Sequence, residues 1–296
     1  MPRYAYVNGR FTRHGDAAVH IEDRGYQFAD GVYEVIPVHT GELVDEGPHM
    51  DRLERSLSEL SIPMPLSRRA LSLVAAELMR RNALTNGFIY MQITRGVAPR
   101  DHKFPKKPTK PALTMTTRQL PQPEATFERG GFSVVSVPDI RWKRRDIKSI
   151  SLLPNILAKQ KAAEAGCEEA WQVDEDGFVT EGSATNAWIV TKDGKVVTRR
   201  SDAGILGGIT RLSLLKVMRV EGIELEIRPF SLEEAHEARE AFLTSSTNYV
   251  TPITRIDGKP VGNGHPGILT MKLRKAYIDH VVHGKAGAER FEVEAT

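Results

Sequence analysis

The chain has 296 residues, 40% hydrophobic and 27% charged, ordinary values for a globular enzyme of two domains or one large one. A net charge of +3 is too slight to drive binding to nucleic acid or a membrane surface, and no apolar run approaches the roughly 20 residues of a membrane span. A single cysteine, Cys167, excludes an internal disulfide and suits a reducing cytoplasm, and the opening MPRYAYVNGRF lacks the apolar core of a signal peptide.

Residues 3–22 read as a hairpin turning at Asn8-Gly9, and Asp23-Arg24-Gly25 as a loop. Gly31 to Val38 reads as a strand with Tyr33 and Val35 on one face and Val32 and Glu34 on the other; its partner starts at Glu42. Tyr33 is open to two readings, packing or a side chain aimed into a site. His49 to Leu60 has helical periodicity through Met50, Leu53, Leu57 and Leu60. Arg52 lies near its start, either a surface charge or a guanidinium placed to clamp a phosphate. A helix over 67–82 and a strand from Gly87 lead into Val97 to Pro105, a proline-stiffened loop. Its Arg100 and His102 are either solvated charges or a pair that binds a carboxylate.

After a strand at Ala112 to Thr117, Leu120-Pro-Gln-Pro-Glu124 is the best boundary signal. It gives a small domain over 1–120, a linker over 121–126, a larger domain over 127–283 and a tail over 284–296. Beyond a strand at 131–137, the stretch Arg141 to Gly166 turns from extended and polar to helical. Lys148 stands at the change of character, where partial burial would favour the free amine over the ammonium. Pro154 falls in the first helical turn, where it costs little. Glu181 precedes Gly182-Ser183 and an apolar strand at 187–190, a setting for a buried carboxylate. Gly207-Gly208-Ile209-Thr210 precedes a helix over 212–221, and Ser245-Ser246-Thr247 forms a second hydroxyl cluster. Each can offer N–H and O–H donors to a phosphate, or simply shape a loop. A last helix spans 267–283.

A lysine, a buried acid, an arginine and two hydroxyl-rich loops suit a ligand with an aldehyde, a ring nitrogen and a phosphate. Pyridoxal 5′-phosphate has all three.

The ordered set of motifs resembles the fold-type IV pyridoxal-phosphate aminotransferases, in particular the D-amino-acid branch. It comprises Asp23-Arg-Gly-Tyr-Gln-Phe-Ala-Asp-Gly-Val-Tyr-Glu-Val35, His49-Met-Asp-Arg-Leu53, Thr94-Arg-Gly96 and Pro99-Arg-Asp-His102 with Phe104-Pro105. Asp146-Ile-Lys-Ser149, Leu157-Ala-Lys-Gln160, Glu181-Gly-Ser183 with Asn186, Gly208-Ile-Thr-Arg211 and Thr244-Ser245 continue it. The resemblance covers about residues 3 to 280. It implies a two-domain α+β fold, with a small N-terminal α/β domain and a larger C-terminal domain built on a barrel-like sheet.

The resemblance also implies roles. Lys148 looks like the lysine that joins the cofactor aldehyde as a Schiff base and then moves the Cα proton. Glu181 resembles the partner of the pyridine nitrogen. Arg52, Ile209, Thr210 and Ser246 resemble the phosphate cradle, and Leu206 the side chain under the ring. Tyr33, Arg100 and His102 resemble the trap for the substrate carboxylate, Trp142 an aromatic near the lysine. In the family the Arg100/His102 loop crosses from a partner subunit, so a homodimer is implied. Ala184 replaces a serine and Gly207 a larger residue of the family pattern, neither touching the core chemistry. The expected reaction moves the amino group of a D-amino acid such as D-alanine to a 2-oxo acid such as 2-oxoglutarate. The alternatives are a branched-chain L-amino-acid or (R)-amine transaminase of the same fold. A nucleic-acid module built on Lys103–Lys110 and Arg141–Arg145 is disfavoured by the low charge and few interleaved aromatics. A metal enzyme is disfavoured because the nine histidines lack ligand spacing.

Overall fold

The computed structural model describes residues 3–121 and 130–291, with side chains through Val282. Residues 122–126 of the expected linker, and the last five residues of the expected tail, lie outside the described residues. The chain divides into two units, Met1–Gln122 with Ile147–Leu152 and Pro123–Asp146 with Leu153–Thr296.

The first unit contains β1 (Tyr4–Val7), β2 (Arg10–Arg13), α1 (Arg24–Phe28), β3 (Gly31–His39), β4 (Glu42–Leu43), α2 (Glu46–Glu59), α3 (Arg68–Asn82), β5 (Gly87–Thr94) and β6 (Ala112–Gln119). Its antiparallel sheet runs β2-β1-β6-β5-β3-β4. The expected hairpin is present, but β2 stops at Arg13 and a 3₁₀ turn follows. The expected loop at Asp23 is a short helix: the Asp23 carboxylate accepts the Gly25 N–H at 2.8 Å and caps α1. Along α2, Met50, Leu53 and Leu57 share a buried face with His49, Arg52 and Ser56. This face joins Val32, Ile36, Ile89 and Met91 of the sheet in one apolar core.

The second unit contains β7 (Phe132–Pro138), α4 (Leu153–Glu164), β8 (Glu169–Val173), β9 (Val179–Gly182), β10 (Asn186–Val190), β11 (Val196–Thr198), α5 (Ile209–Val220), β12 (Leu225–Ile227), α6 (Leu232–Glu237), β13 (Glu240–Ser245), β14 (Tyr249–Ile256), β15 (Lys259–Pro260) and α7 (Ile268–Phe291). The sheet runs β12-β11-β10-β13-β14-β7-β8-β9, with β15 on β14. β9 lies at one end of that path and β10 near the other. Only three residues join them, and Gly182 N–H donates to the Thr185 carbonyl at 2.7 Å. The sheet therefore curls round on itself, as the resemblance implies. Trp171, Trp188, Phe230 and Phe242 fill its core; Trp171 meets Phe230 edge-on and Trp188 stacks on Phe242.

Two further boundaries differ from expectation. α5 begins at Ile209 rather than 212, and α7 continues to Phe291 rather than stopping at 283. The short strands β11 and β15 were not foreseen. Among the described residues no helix is long and apolar enough to cross a membrane, and no group of three or more His, Cys, Asp or Glu could hold a metal ion.

The start of α7 is held by one acid. Buried Glu240 accepts the backbone N–H groups of Leu269 and Thr270 at 3.1 and 2.8 Å, and the Thr270 hydroxyl at 2.8 Å. It satisfies two of the helix's orphan donors and places negative charge at the positive end of its dipole. Glu240→Ala is expected to cost about 2 kcal/mol, read as a lower urea midpoint by tryptophan fluorescence.

Candidate functional site

Lys148 is placed by the first unit. Its flanking residue Ser149 forms an antiparallel bridge with Val32. Tyr33 N–H donates to the Lys148 carbonyl at 3.0 Å, and Lys148 N–H donates to Ser56 Oγ on α2 at 3.3 Å. Ile150 N–H donates to the Gly31 carbonyl at 3.1 Å. At Gly31 a side chain is excluded, since a Cβ would lie 2.6 Å from the Ile93 carbonyl and 3.1 Å from Ile150. Held this way, the half-buried Lys148 sets its Nζ 4.1 Å from the centre of the Tyr33 ring.

One buried acid organises the cations nearby. Glu34 is fully buried on β3 and takes Arg52 with both oxygens, Nε at 2.8 Å and Nη2 at 2.6 Å. His49 Nδ1 lies 2.7 Å from the same carboxylate. Burial alone would raise the Glu34 pKa, but the charge and hydrogen bonds of Arg52, with the bond from His49, pull it down to about 2. Burial lowers the His49 pKa against the pull of Glu34, with Arg52 and Lys148 adding to the fall. A neutral imidazole then donates Nδ1–H to Glu34. One edge of the Arg52 guanidinium is thereby fixed.

Arg100 and His102 both lie on the exposed loop after β5. The Arg100 guanidinium carbon is 5.1 Å from the centre of the Phe28 ring and the His102 ring 5.4 Å from it.

The second unit builds its cluster on Glu181, buried on β9. Arg141 Nη1 donates to Glu181 Oε1, while Arg141 Nη2 and Nε hold Asp139 at 2.7 and 2.9 Å. Asn186 Nδ2 donates to Glu181 Oε2 at 3.0 Å and to the Leu206 carbonyl at 3.0 Å. The Leu206 N–H is shared between the two Glu181 oxygens at 3.2 Å. Burial pushes the Glu181 pKa up, and Arg141 and the Leu206 N–H oppose it. Ile209 and Thr210 form the first turn of α5 instead of a preceding loop. Gly208 stands at the N-cap with no side chain to cap the helix, so the first N–H groups have no intrahelical acceptor. A Cβ at Gly208 would meet Asn186 Oδ1 at 2.0 Å. Ser246 lies in the turn between β13 and β14. Trp142 is exposed.

The family profile described as Amino-transferase class IV matches residues 31–256. The chain belongs to the class IV aminotransferases. D-alanine aminotransferase of Listeria monocytogenes serotype 4b is 40% identical over 278 residues, covering 93% of this chain and 95% of that one. D-alanine aminotransferase of Bacillus licheniformis is 40% identical over 275 residues, covering 93% and 96%. Among solved structures, the branched-chain amino acid aminotransferase of Escherichia coli superimposes with a TM-score of 0.86 at 24% identity, covering 95% of each chain. A hypothetical aminotransferase from Mycobacterium tuberculosis in a PLP-bound form gives 0.82 at 19% identity, covering 95% of this chain and 99% of that one.

Class IV aminotransferases depend on pyridoxal 5′-phosphate, and the donor sets fit its two charged ends. Glu181 is held by an arginine, and among the described residues its Oε2 accepts from Asn186 and the shared Leu206 N–H, leaving lone-pair capacity for an N–H donor. The uncapped start of α5 has the chemistry of a phosphate site. Each unit thus carries part of the expected set. Lys148, Tyr33 and Arg52 are tied to β3 and α2, with Arg100 and His102 on the neighbouring loop. Glu181, Leu206, Ile209 and Thr210 gather about the β9–β10 joint and α5. Ala184 is exposed at that joint, away from the buried Glu181 bonds.

Sequence reading missed Glu34, His49, Asp139 and Arg141 as supports. The alternation along β3 could have flagged Glu34, an acid on the face shared with Val32. Nothing local marks the pairing of Arg141 with Glu181, which lies 40 residues away.

Because the Glu34 pKa is lowered in the folded chain, its contribution to stability is complete above the unfolded value of 4.5 and disappears as the pH falls toward about 2. The lowered His49 pKa acts in the same sense from about pH 6.5 downward. Urea midpoints at pH 7, 4.5 and 3 are expected to fall, with Glu34 responsible for about 2 kcal/mol of the fall by pH 3. Glu34→Gln is expected to flatten the limb below pH 4.5 and to cost about 3 kcal/mol at pH 7, because Arg52 loses its buried counter-ion.

Proposed function

We propose that the chain transfers the amino group of a D-amino acid such as D-alanine to a 2-oxo acid such as 2-oxoglutarate, in two half-reactions on one cofactor. The observation that carries the substrate choice is the 40% identity to D-alanine aminotransferases across 93% of the chain. The likeness to branched-chain enzymes, at 24% identity, is one of fold.

The bound cofactor supplies an aldehyde carbon that takes up the amino group and a ring that draws electrons from the substrate Cα. Lys148 Nζ anchors it and then carries the proton lost from Cα. The face of Tyr33, 4.1 Å away, keeps that amine from swinging free. Glu181, hydrogen-bonded by Arg141, holds a proton on the ring nitrogen. Arg52, the N–H groups of Ile209 and Thr210 and the Ser246 hydroxyl take the phosphate. Leu206 supports the ring face. Arg100, His102 and the Tyr33 hydroxyl bind the substrate carboxylate.

A homodimer belongs to this reading. Val19, Ile21, Tyr26, Val97 and Phe104 are exposed on segments joined by the Asp23–Val97 bridge, an apolar surface suited to a second copy. We place the enzyme in the cytoplasm, where its one free cysteine stays reduced.

Lys148→Ala is expected to lower turnover of D-alanine with 2-oxoglutarate by about 10³-fold or more. Arg100→Leu is expected to raise KM for D-amino acids by about tenfold or more through loss of a charge-assisted bond. Rates on D-alanine, L-leucine and (R)-1-phenylethylamine decide the substrate class; faster turnover of L-leucine would overturn the proposal.

A further inference from the structure

The loop that carries Arg100 and His102 has its own scaffold, all within the first unit. At its centre is the Phe28 ring at the end of α1. The guanidinium carbons of Arg24 and Arg100 lie 4.9 and 5.1 Å from the ring centre, and the His102 ring 5.4 Å from it. The residue between Arg100 and His102 is also fixed: Arg24 Nη1 donates to the Asp101 carbonyl at 2.6 Å. Arg24 is buried and held by Asp30 through Nε at 2.7 Å. The other oxygen contacts of Asp30 go to Arg95, at 2.7 and 3.0 Å, and Arg95 lies 3.7 Å from the centre of the Phe104 ring. One carboxylate thus anchors the loop at Asp101 through Arg24 and at Phe104 through Arg95.

Held this way, the loop leaves Arg100 and His102 with no acid of their own. Among the described residues neither Arg100 nor His102 has an ion pair; each has the Phe28 ring instead. An aromatic face fixes the direction of a guanidinium without neutralising it. A carboxylate in the same place would hold the arginine equally well and compete with any anion arriving from solution.

We propose that Phe28 is the positioning residue for carboxylate recognition, the ring that sets the directions of Arg100 and His102 and leaves the Arg100 charge available to the substrate. The proposal rests on the reading of these two residues as the carboxylate-binding pair. Phe28 acts on substrates that bear an α-carboxylate and not on the chemical step, which Lys148 performs. The arginines of the loop scaffold divide by partner: Arg24 and Arg95 share Asp30 and are structural, while Arg100 has a ring in place of an acid and is offered to the substrate.

The test uses the holoenzyme and four variants. In Phe28→Ala, KM for D-alanine and for 2-oxoglutarate is expected to rise about tenfold, with kcat within about twofold of wild type. Turnover of (R)-1-phenylethylamine, which has no carboxylate, keeps its kcat/KM for the amine at saturating pyruvate. Phe28→Tyr and Phe28→Trp restore the KM values, since either ring offers a face to the cations. A second readout does not depend on activity: Arg100, Lys103 and Lys106 are trypsin sites on the loop, and their cleavage in the folded protein is expected to speed up in Phe28→Ala and return to the wild-type rate in Phe28→Tyr. Equal losses on D-alanine and on the amine would overturn the proposal, because they mark general damage. Unchanged KM values in Phe28→Ala beside a raised KM in Arg100→Leu would overturn it while leaving the carboxylate-binding pair intact. Unchanged KM values in both variants would overturn the pair as well.

Discussion

A carboxylate inside a protein keeps its charge only where cations and donors replace the water it has lost. This chain meets that requirement repeatedly, and its candidate chemistry is arranged around the results. Glu34 stands between Arg52 and His49, Glu181 against Arg141, and Asp30 between Arg24 and Arg95. Removing Glu34 or Asp30 leaves an arginine in a low-dielectric setting without its counter-ion, a cost of about 3–5 kcal/mol, while Arg141 is held by Asp139 as well as by Glu181. The pairs are therefore stiff, and stiffness is what a site needs from the residues behind its working groups. Arg52 is directed by Glu34, Glu181 by Arg141, and the Arg100/His102 loop by Asp30 acting through two arginines.

The position of Lys148 follows from a different constraint. In sequence it belongs with the helix that begins at Leu153. In space the six residues Ile147–Leu152 cluster with the first unit, where β3 and α2 take up their backbone groups. A backbone held by hydrogen bonds on both sides gives the side chain a fixed origin. The four-carbon stem of a lysine otherwise samples many rotamers, and ordering it costs on the order of 2 kcal/mol. Anchoring at Ser149, Ile150 and Lys148 itself, together with the Tyr33 face, leaves few of those rotamers open.

Much of this was legible in the sequence. Alternation along β3 separated Tyr33 from Glu34 correctly, and the spacing of Met50, Leu53 and Leu57 marked the buried side of α2. The motifs around Lys148, Glu181 and Gly208 supplied candidate residues in both units. The failures have physical reasons. The helix at Ile209 was read as starting three residues late because its N-cap is a glycine without a capping side chain, so the usual polar start signal is missing. The helix after Asp23 is only five residues long, too short for periodicity to register. The supporting bonds join residues far apart, the Arg24 hydrogen bond to the Asp101 carbonyl across 77 positions and the Arg95–Asp30 ion pair across 65. No local pattern encodes a pair of that span; it exists only once β3 and β5 lie side by side.

The contrast between two kinds of arginine explains why the exposed loop is built as it is. Arg24 and Arg95 are buried and share Asp30, and together the three groups carry one net positive charge that is directed inward. Arg100 is exposed and has an aromatic ring as its neighbour. A salt bridge would supply order at the loop tip, but it would spend there the charge that a substrate carboxylate has to meet. A cation–π contact at an exposed site is worth about 0.5–1 kcal/mol, enough to bias a side chain's direction and too little to compete with an arriving carboxylate. The burden of order is thereby passed to the buried Asp30 pairs, where charge can be neutralised without loss to binding, and the weak contact is kept for the place where the charge must remain free.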